Sequence, residues 1–360
     1  MKILTFFETF LFMTSRRRTV YDDITTTTTH SPLSAATDAA LKNHKYDPIV
    51  DWKPPSPENI RKTRERIVSP MKAFTSAVFY CTDSNGRHYE GLSHVPIPNG
   101  QRPILFVSNH QLVGLDSWLV VNELLEQCGI FIRALTQPFL YPPSDDPDGT
   151  TFLETYGCLP VSTRNFYRLL QTNQPILLFP GGAKEAFVNT ASEVYAMEAW
   201  TTDKTDFVRT AAKFNATIVP FSSVGAAESA FFLQDWLGDT TIQPIQSILQ
   251  TAAGPRAPID ARYDSGRDKR ISFPLVVPKL IPSRHYFLFG KPFELEHVDY
   301  RDRVACQITY LDIKRTIRDG CHALLQASKQ DPFYDPLRRV PYEQIWRRQA
   351  PSFPAKVLDT

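Results

Sequence analysis

The 360-residue chain has no C-x-x-C pair, and its five cysteines (Cys81, Cys128, Cys158, Cys306 and Cys321) are widely spaced and odd in number. That argues against a zinc site or a disulfide framework, and the cysteines read as small core residues in a reducing compartment. No window of about 18 uncharged apolar residues exists, so no ordinary membrane span is expected. Like charges do not cluster into blocks, and 40 Lys+Arg against 38 Asp+Glu leave a net charge of only +2. Nothing in that balance points to nucleic acid. Neither a phosphate-binding G-x-x-x-x-G-K-[ST] loop nor a G-x-S-x-G nucleophile elbow occurs. There is no internal repeat.

What the chain does have is aromatic side chains, 24 Phe and 14 Tyr within a 42% hydrophobic composition. They serve to fill a core or to line an apolar ligand channel. The length allows one large core. Near the start, an apolar run from Ile3 to Met13 is followed by Arg16-Arg17-Arg18 and a Ser/Thr-rich stretch. Residues 1–45 therefore read as a targeting or disordered leader. Residues 46–100 read as an extension with a proline-rich linker at Trp52-Lys53-Pro54-Pro55, a solvated helix over 57–69, and strands over 73–81 and 93–97. The main domain is expected over 101–330, followed by an extended basic tail over 331–360.

Within the main domain, short apolar runs alternate with helical patterns. Ile104-Leu105-Phe106-Val107, residues 131–135, 175–179 and 217–221 read as buried strands. Residues 112–128, closed by Gly129, then 165–171 and 206–214 read as helices. This alternation predicts an α/β fold with a mixed, largely parallel sheet flanked by helices, in which ligands bind beyond the carboxyl ends of the strands. Strands over 275–281 and 285–289 and a long helix over 303–330 are expected to follow. Phe231-Phe232-Leu233 and Trp236-Leu237 lie in a loop-like stretch; core packing is the expected role and insertion into a membrane surface the alternative.

Four segments carry possible chemistry. In Asn109-His110-Gln111-Leu112-Val113-Gly114-Leu115-Asp116, a histidine at a strand end with a carboxylate six residues on suits a base and its orienter. A structural histidine fits the same spacing. Phe179-Pro180-Gly181-Gly182-Ala183-Lys184-Glu185-Ala186 puts two glycines at another strand end. They suit either an anion-binding backbone or a tight strand-to-helix turn. Arg164, in Tyr156-Gly157-Cys158-Leu159-Pro160-Val161-Ser162-Thr163-Arg164-Asn165, offers a planar charged fork or an exposed helix-start residue. In Ile218-Val219-Pro220-Phe221 a proline can shape a pocket wall.

In this order, the four segments resemble the acyltransferase part of the plant phytyl ester synthases. That group is similar to the diacylglycerol acyltransferase type 2 family and, more distantly, to glycerolipid acyltransferases. The resemblance covers residues 100–230, with Phe289-Gly290-Lys291-Pro292 matching a late strand. It implies a glycerolipid-acyltransferase-like fold and an O-acyltransferase that moves a fatty acyl group from acyl-CoA or acyl-ACP to phytol, another fatty alcohol or diacylglycerol. His110 would be the base, with Asp116 as its orienter one residue later than in the distant relatives. Gly181, Gly182, Lys184 and Glu185 would line the substrate site, and Arg164 would hold the acceptor. The resemblance further implies no cofactor, no metal, no covalent intermediate, a membrane or lipid-body surface as partner, and a plastid location. The plant synthases also carry a hydrolase-like domain, whose activity is not expected here. A lysophospholipid or glycerol-phosphate acyltransferase and a non-catalytic lipid-binding protein are the alternatives.

Overall fold

The structure, a computed structural model, describes residues 47–140, 153, 155–201, 205–253, 271, 274–279 and 283–359. The expected leader over 1–45 and the proline-rich loop over 142–149 lie outside the described residues. Contacts along the chain divide it between Lys53 and Pro54. Residues 47–53 form a turn of their own, in which the Asp51 N–H donates to the Asp47 carbonyl (2.8 Å).

Beyond that division, α1 (Pro57–Thr63) starts as the sequence predicts. Pro57 takes the first helical position, where its missing N–H costs nothing, and the Ser56 hydroxyl caps the Asn59 N–H. The helix continues through a π-helical turn at Arg64–Val68 into α2 (Ser69–Thr75). Residues 73–75, expected in a strand, thus close a helix, and β1 (Val78–Thr82) starts later. Its hairpin partner is β2 (His88–Glu90) and not residues 93–97, which form turns.

The central strands follow the apolar runs: β3 (Ile104–Ser108), β4 (Arg133–Thr136), β5 (Leu159–Pro160), β6 (Ile176–Leu178) and β7 (Thr217–Val224). All eight residues of β7 are buried, as expected for a strand covered on both faces. After β7 come β8 (Ala230–Phe232), β9 (Val276–Pro278), β10 (Tyr286–Phe289) and β11 (Phe293–Glu294). The main sheet runs β2-β1-β10-β7-β3-β6-β4-β5, with β11 also on β7. From β7 through β3, β6 and β4 to β5 every neighbour is parallel, as are β1 and β10; β10 and β11 run antiparallel to β7. The expected mixed, largely parallel α/β sheet is what forms.

Helices cover this sheet. In α3 (Leu115–Cys128), Leu119, Val120 and Leu124 are buried. Gly129, at φ 68°, ends it in a left-handed turn that only glycine adopts without strain. α4 (Thr163–Gln171) turns Phe166, Leu169 and Leu170 inward, a one-face spacing, and Ser162 caps it. The short α5 (Gly182–Ala186) follows β6, and α6 (Asp206–Lys213) buries Phe207, Val208, Ala211 and Ala212. After β8 come α7 (Leu233–Leu237) and α8 (Asp239–Ala253). Here the core expectation holds only in part. Phe232 is buried, but Phe231, Trp236 and Leu237 are exposed, because a three-residue edge strand alternates its side chains and α7 is too short to fold back. α9 (Arg303–Ala327) is the long helix that the sequence predicts.

The tail departs from expectation. Residues 336–346 form α10 (Pro336–Trp346), because Asp335 caps the Leu337 N–H (2.9 Å) and Pro336 sits at the first helical position. Pro341 lies inside this helix, and its ring is accommodated there. The tail is anchored by a buried cluster. Arg284 pairs with Asp331 (3.1 Å), and Asp331 also accepts from the Tyr286 hydroxyl (2.8 Å) and the Ser352 hydroxyl (2.9 Å). Arg284 further donates to the carbonyls of Ser76, Pro351 and Ala350. Phe353, fully buried, stacks on Tyr80 at 4.8 Å. All five cysteines are unpaired, and burial pushes the Cys158 and Cys321 thiols up to about 12.

Removing one partner of a buried, hydrogen-bonded ion pair leaves a stranded charge, a loss of roughly 3–5 kcal/mol. Asp331→Ala is therefore expected to lower unfolding stability by that amount. Urea denaturation checks this, and a loss below about 1 kcal/mol would show that the cluster does not pin the tail.

Candidate active site

His110 stands two residues past the carboxyl end of β3, in a segment that the surrounding backbone grips on both sides. The side chains of Asn109 and Gln111 are fully buried, so each polar group there needs a partner. Asn109 pairs with the backbone of Ser223 on β7: its amide donates to the Ser223 carbonyl and its oxygen accepts from the Ser223 N–H, both at 2.9 Å. The Gln111 side-chain oxygen accepts from the Ala226 N–H (2.8 Å). A 3₁₀ turn at Leu112–Gly114 then leads into α3, whose first turn brings Asp116 back under the loop.

Asp116 is completely buried, and its carboxylate accepts from the Gln111 N–H (3.1 Å). The same carboxylate lies 3.2 Å and 3.4 Å, by its two oxygens, from His110 Nδ1. A buried carboxylate can only accept, so it selects the tautomer with the proton on Nδ1 and leaves the Nε2 lone pair available. The 3₁₀ turn at Leu112–Gly114 lies in the span between His110 and Asp116. Gly114, at φ 74°, makes that turn possible; a Cβ there would sit 3.1 Å from His110 Cε1 and press on the imidazole.

The imidazole stacks on Phe179 (4.0 Å between centroids, 12° between planes). Phe179 follows β6, the neighbour of β3, and leads into the Gly181-Gly182 turn. The His110–Asp116 pair and the Gly181-Gly182 turn, far apart in sequence, thus meet at adjacent strand ends. The Gly182 N–H is engaged by the Phe179 carbonyl (2.9 Å), so it shapes the turn and is not a free oxyanion donor.

The other expected site residues occupy three different environments. Glu185 is buried against the turn: a Cβ on Gly181 would lie 1.9 Å from its Oε2, so residue 181 must be glycine. The Trp200 indole N–H donates to Glu185 Oε2 (3.0 Å). Burial pushes the Glu185 carboxyl up to about 7, opposed first by the Trp200 hydrogen bond and then by His110, whose charge and backbone N–H both favour the ionised form. Lys184, one residue earlier, points outward and lines a cleft of about 340 Å³ with Phe187, Asn189 and Glu198. Arg164 is exposed in the first turn of α4, after the edge strand β5. Three strand spacings separate β5 from β3, on the order of 14 Å. Arg164 thus belongs to the edge of the sheet, on the helix that follows β5.

Two features were not anticipated from the sequence. Trp200 is held by rings of Phe207 and Tyr310 at 6.4 Å and 6.1 Å, and its carbonyl accepts from Lys314 (2.8 Å). It links α9 to Glu185 and through it to the His110 backbone. His285 is fully buried, with Ser229 Oγ 3.4 Å from its Nε2. Burial takes it down to about 4, so it stays neutral despite the field of Asp116. No motif announces either residue, because both act through packing. Among the described residues, no group of three or more His, Cys, Asp or Glu side chains is placed to hold a metal ion.

Known proteins resemble this chain over most of its length. The chain is 30% identical over 321 residues to phytyl ester synthase 2, chloroplastic, of Arabidopsis thaliana, a match covering 87% of this chain and 45% of that protein. It is 28% identical over 309 residues to phytyl ester synthase 1, chloroplastic, of the same plant, covering 84% and 43%. The chain is a homologue of the phytyl ester synthases. It spans about half the length of the curated relatives it matches. No family model matches it.

Glu185 gives the site a pH signature. Its carboxyl moves from 4.5 to about 7 on folding, so the folded state binds the extra proton between those values. The stability it contributes is full below about 4.5 and is lost as pH rises through about 7. Relative to Glu185→Gln, which does not titrate, the wild type should lose on the order of 3 kcal/mol between pH 4.5 and pH 8. Urea midpoints of both proteins across that range measure the difference; parallel curves would refute it.

Proposed function

We propose that the chain is an O-acyltransferase that transfers a fatty acyl group from acyl-CoA or acyl-ACP to a lipid alcohol, with phytol the favoured acceptor. The observation that carries this reading is the pairing of His110 with buried Asp116 beside the Gly181-Gly182 turn. The homology to proteins named phytyl ester synthase supports the reaction class, and their chloroplastic names support a plastid location.

In this mechanism the alcohol oxygen attacks the thioester carbonyl carbon as its proton passes to His110 Nε2. Asp116 holds the Nδ1–H and stabilises the imidazolium that forms. The tetrahedral intermediate collapses with cleavage of the C–S bond, and the imidazolium returns the proton to the departing thiolate. The products are an ester and a free thiol carrier. No enzyme nucleophile is needed, and the raised thiols of the buried cysteines suit none. Phe179, stacked on the imidazole, keeps that side dry and limits thioester hydrolysis. Lipid substrates imply a membrane or lipid-body surface as the partner.

The alternatives fare less well. The relatives are named for phytyl esters, which favours a phosphate-free acceptor over one held by Arg164. A lipid-binding protein without catalysis has no use for an oriented histidine–carboxylate pair at the strand ends.

Purified protein with acyl-CoA or acyl-ACP and phytol should yield phytyl ester, detected by lipid mass spectrometry. His110→Ala should lower the rate by about 10²–10⁴-fold, the usual contribution of general-base catalysis, with circular dichroism unchanged. A folded His110→Ala protein of wild-type rate would refute the mechanism.

A further inference from the structure

We propose that the exposed face of α10 seats the catalytic end of the sheet on an anionic lipid surface. The inference rests on the reading of the substrates as lipids but is tested separately from it.

α10 carries its apolar side chains on the wrong side for a core helix. Leu337, Pro341 and Ile345 form an i, i+4, i+8 stripe that faces solvent, with Leu337 72% and Ile345 73% exposed. Trp346 is 61% exposed at the helix end. Arg338, Arg347 and Arg348 flank the stripe, all exposed. The helix's one acid, Glu343, turns inward, accepting from the Ser76 hydroxyl (2.5 Å) and the Ala350 N–H (3.1 Å). The outward face is thus apolar, aromatic and purely cationic. That is the pattern of a helix lying in a lipid interface, with arginines at the headgroups. An exposed stripe of Leu and Ile ringed by arginines repels a second copy of itself by charge, whereas anionic headgroups complement it.

Placement supports the same partner. Ser76, which holds Glu343, lies two residues before β1, and β1 pairs Val78 with Tyr286, which lies opposite Val224 at the carboxyl end of β7. α10 therefore sits at the end of the sheet that carries His110. α7 and α8 leave that same end, and their outer surface shows Trp236, Leu237, Ile245 and Ile248. Its acids are also occupied: Asp235 accepts from the Ala191 N–H and Asp239 from the Gln234 amide. Glu228, just before β8, accepts at its carbonyl from Lys279 (2.7 Å), and its charge acts on Tyr334, just before α10. A lipid alcohol leaving an interface under α10 would reach the catalytic end without crossing water. By contrast, the exposed Val304 and Ile308 belong to the start of α9, at the opposite end, since β11 pairs Glu294 with Thr217, the first residue of β7.

The test is flotation of the full chain with vesicles of phosphatidylcholine, with and without one-fifth phosphatidylglycerol. The wild type should float with the anionic vesicles, should release on raising salt, and should bind pure phosphatidylcholine at least tenfold more weakly. Arg338→Glu with Arg347→Glu, both at exposed positions, should weaken anionic binding at least tenfold. Leu337→Ser with Ile345→Ser should do the same, and Val304→Ser with Ile308→Ser should leave it unchanged. Equal binding to both vesicle types, full binding by the charge-reversal variant, or a dimer that Leu337→Ser with Ile345→Ser dissociates would each overturn the proposal. Acyl transfer measured in neutral detergent micelles should survive the α10 substitutions. Its absence in the wild type would count against the enzymatic reading while leaving the flotation result standing.

Discussion

Three polar residues that flank His110 at the end of β3 are kept almost free of water, and the placement of the imidazole depends on the backbone bonds that two of them make. Ser108, Asn109 and Gln111 are fully buried, and His110 is the one side chain of that stretch that reaches toward solvent. A buried amide without a hydrogen bond costs on the order of 1–3 kcal/mol, so the paired bonds of Asn109 to Ser223 and the bond of Gln111 to Ala226 fix the loop against β7. The loop cannot rotate without breaking them. His110 inherits its position from bonds in which it takes no part.

A second layer of support comes from the opposite side. Glu185 folds back against Gly181, Trp200 donates to Glu185, and α9 holds Trp200 through Lys314 and Tyr310. The glycine turn beside the imidazole is thereby tied to the longest helix of the described structure. Gly181 is dictated by the carboxylate and Gly114 by its backbone angle and the imidazole. Two glycines in the same site thus have different physical reasons for being glycine. Neither reason requires that their N–H groups face a ligand.

Much of this was legible in the sequence, for reasons that can be named. Strands β3, β6 and β7 are buried on both faces, and such strands appear as unbroken apolar runs. α3 announces itself by periodicity and by the glycine that ends it. The motifs place His110 and Gly181-Gly182 at strand ends, and the sheet order makes those ends neighbours. What sequence could not supply was direction. Lys184 and Glu185 are adjacent, yet one faces solvent and the other the core, because α5 is only a turn long and its face is set by Trp200. Arg164 belongs to the right end of the sheet but to its edge, and strand order is not written in local pattern. The basic, proline-rich composition of the tail reads as extended chain, whereas Asp335 caps and Pro336 starts a helix there.

The strand order also sets a timetable for synthesis. Strands β3 to β7 are consecutive in the chain and, together with the loops that bear His110 and Gly181-Gly182, can pair once residue 224 has emerged. β1 is made before any of them but has its parallel partner in β10, beyond residue 285, and Tyr80 is covered only when Phe353 arrives. Pairings so distant in sequence form slowly. On a ribosome, these central strands can thus be assembled while one flank of β7 and the apolar face of β1 still wait, unpaired strand edges of the kind that chaperones guard.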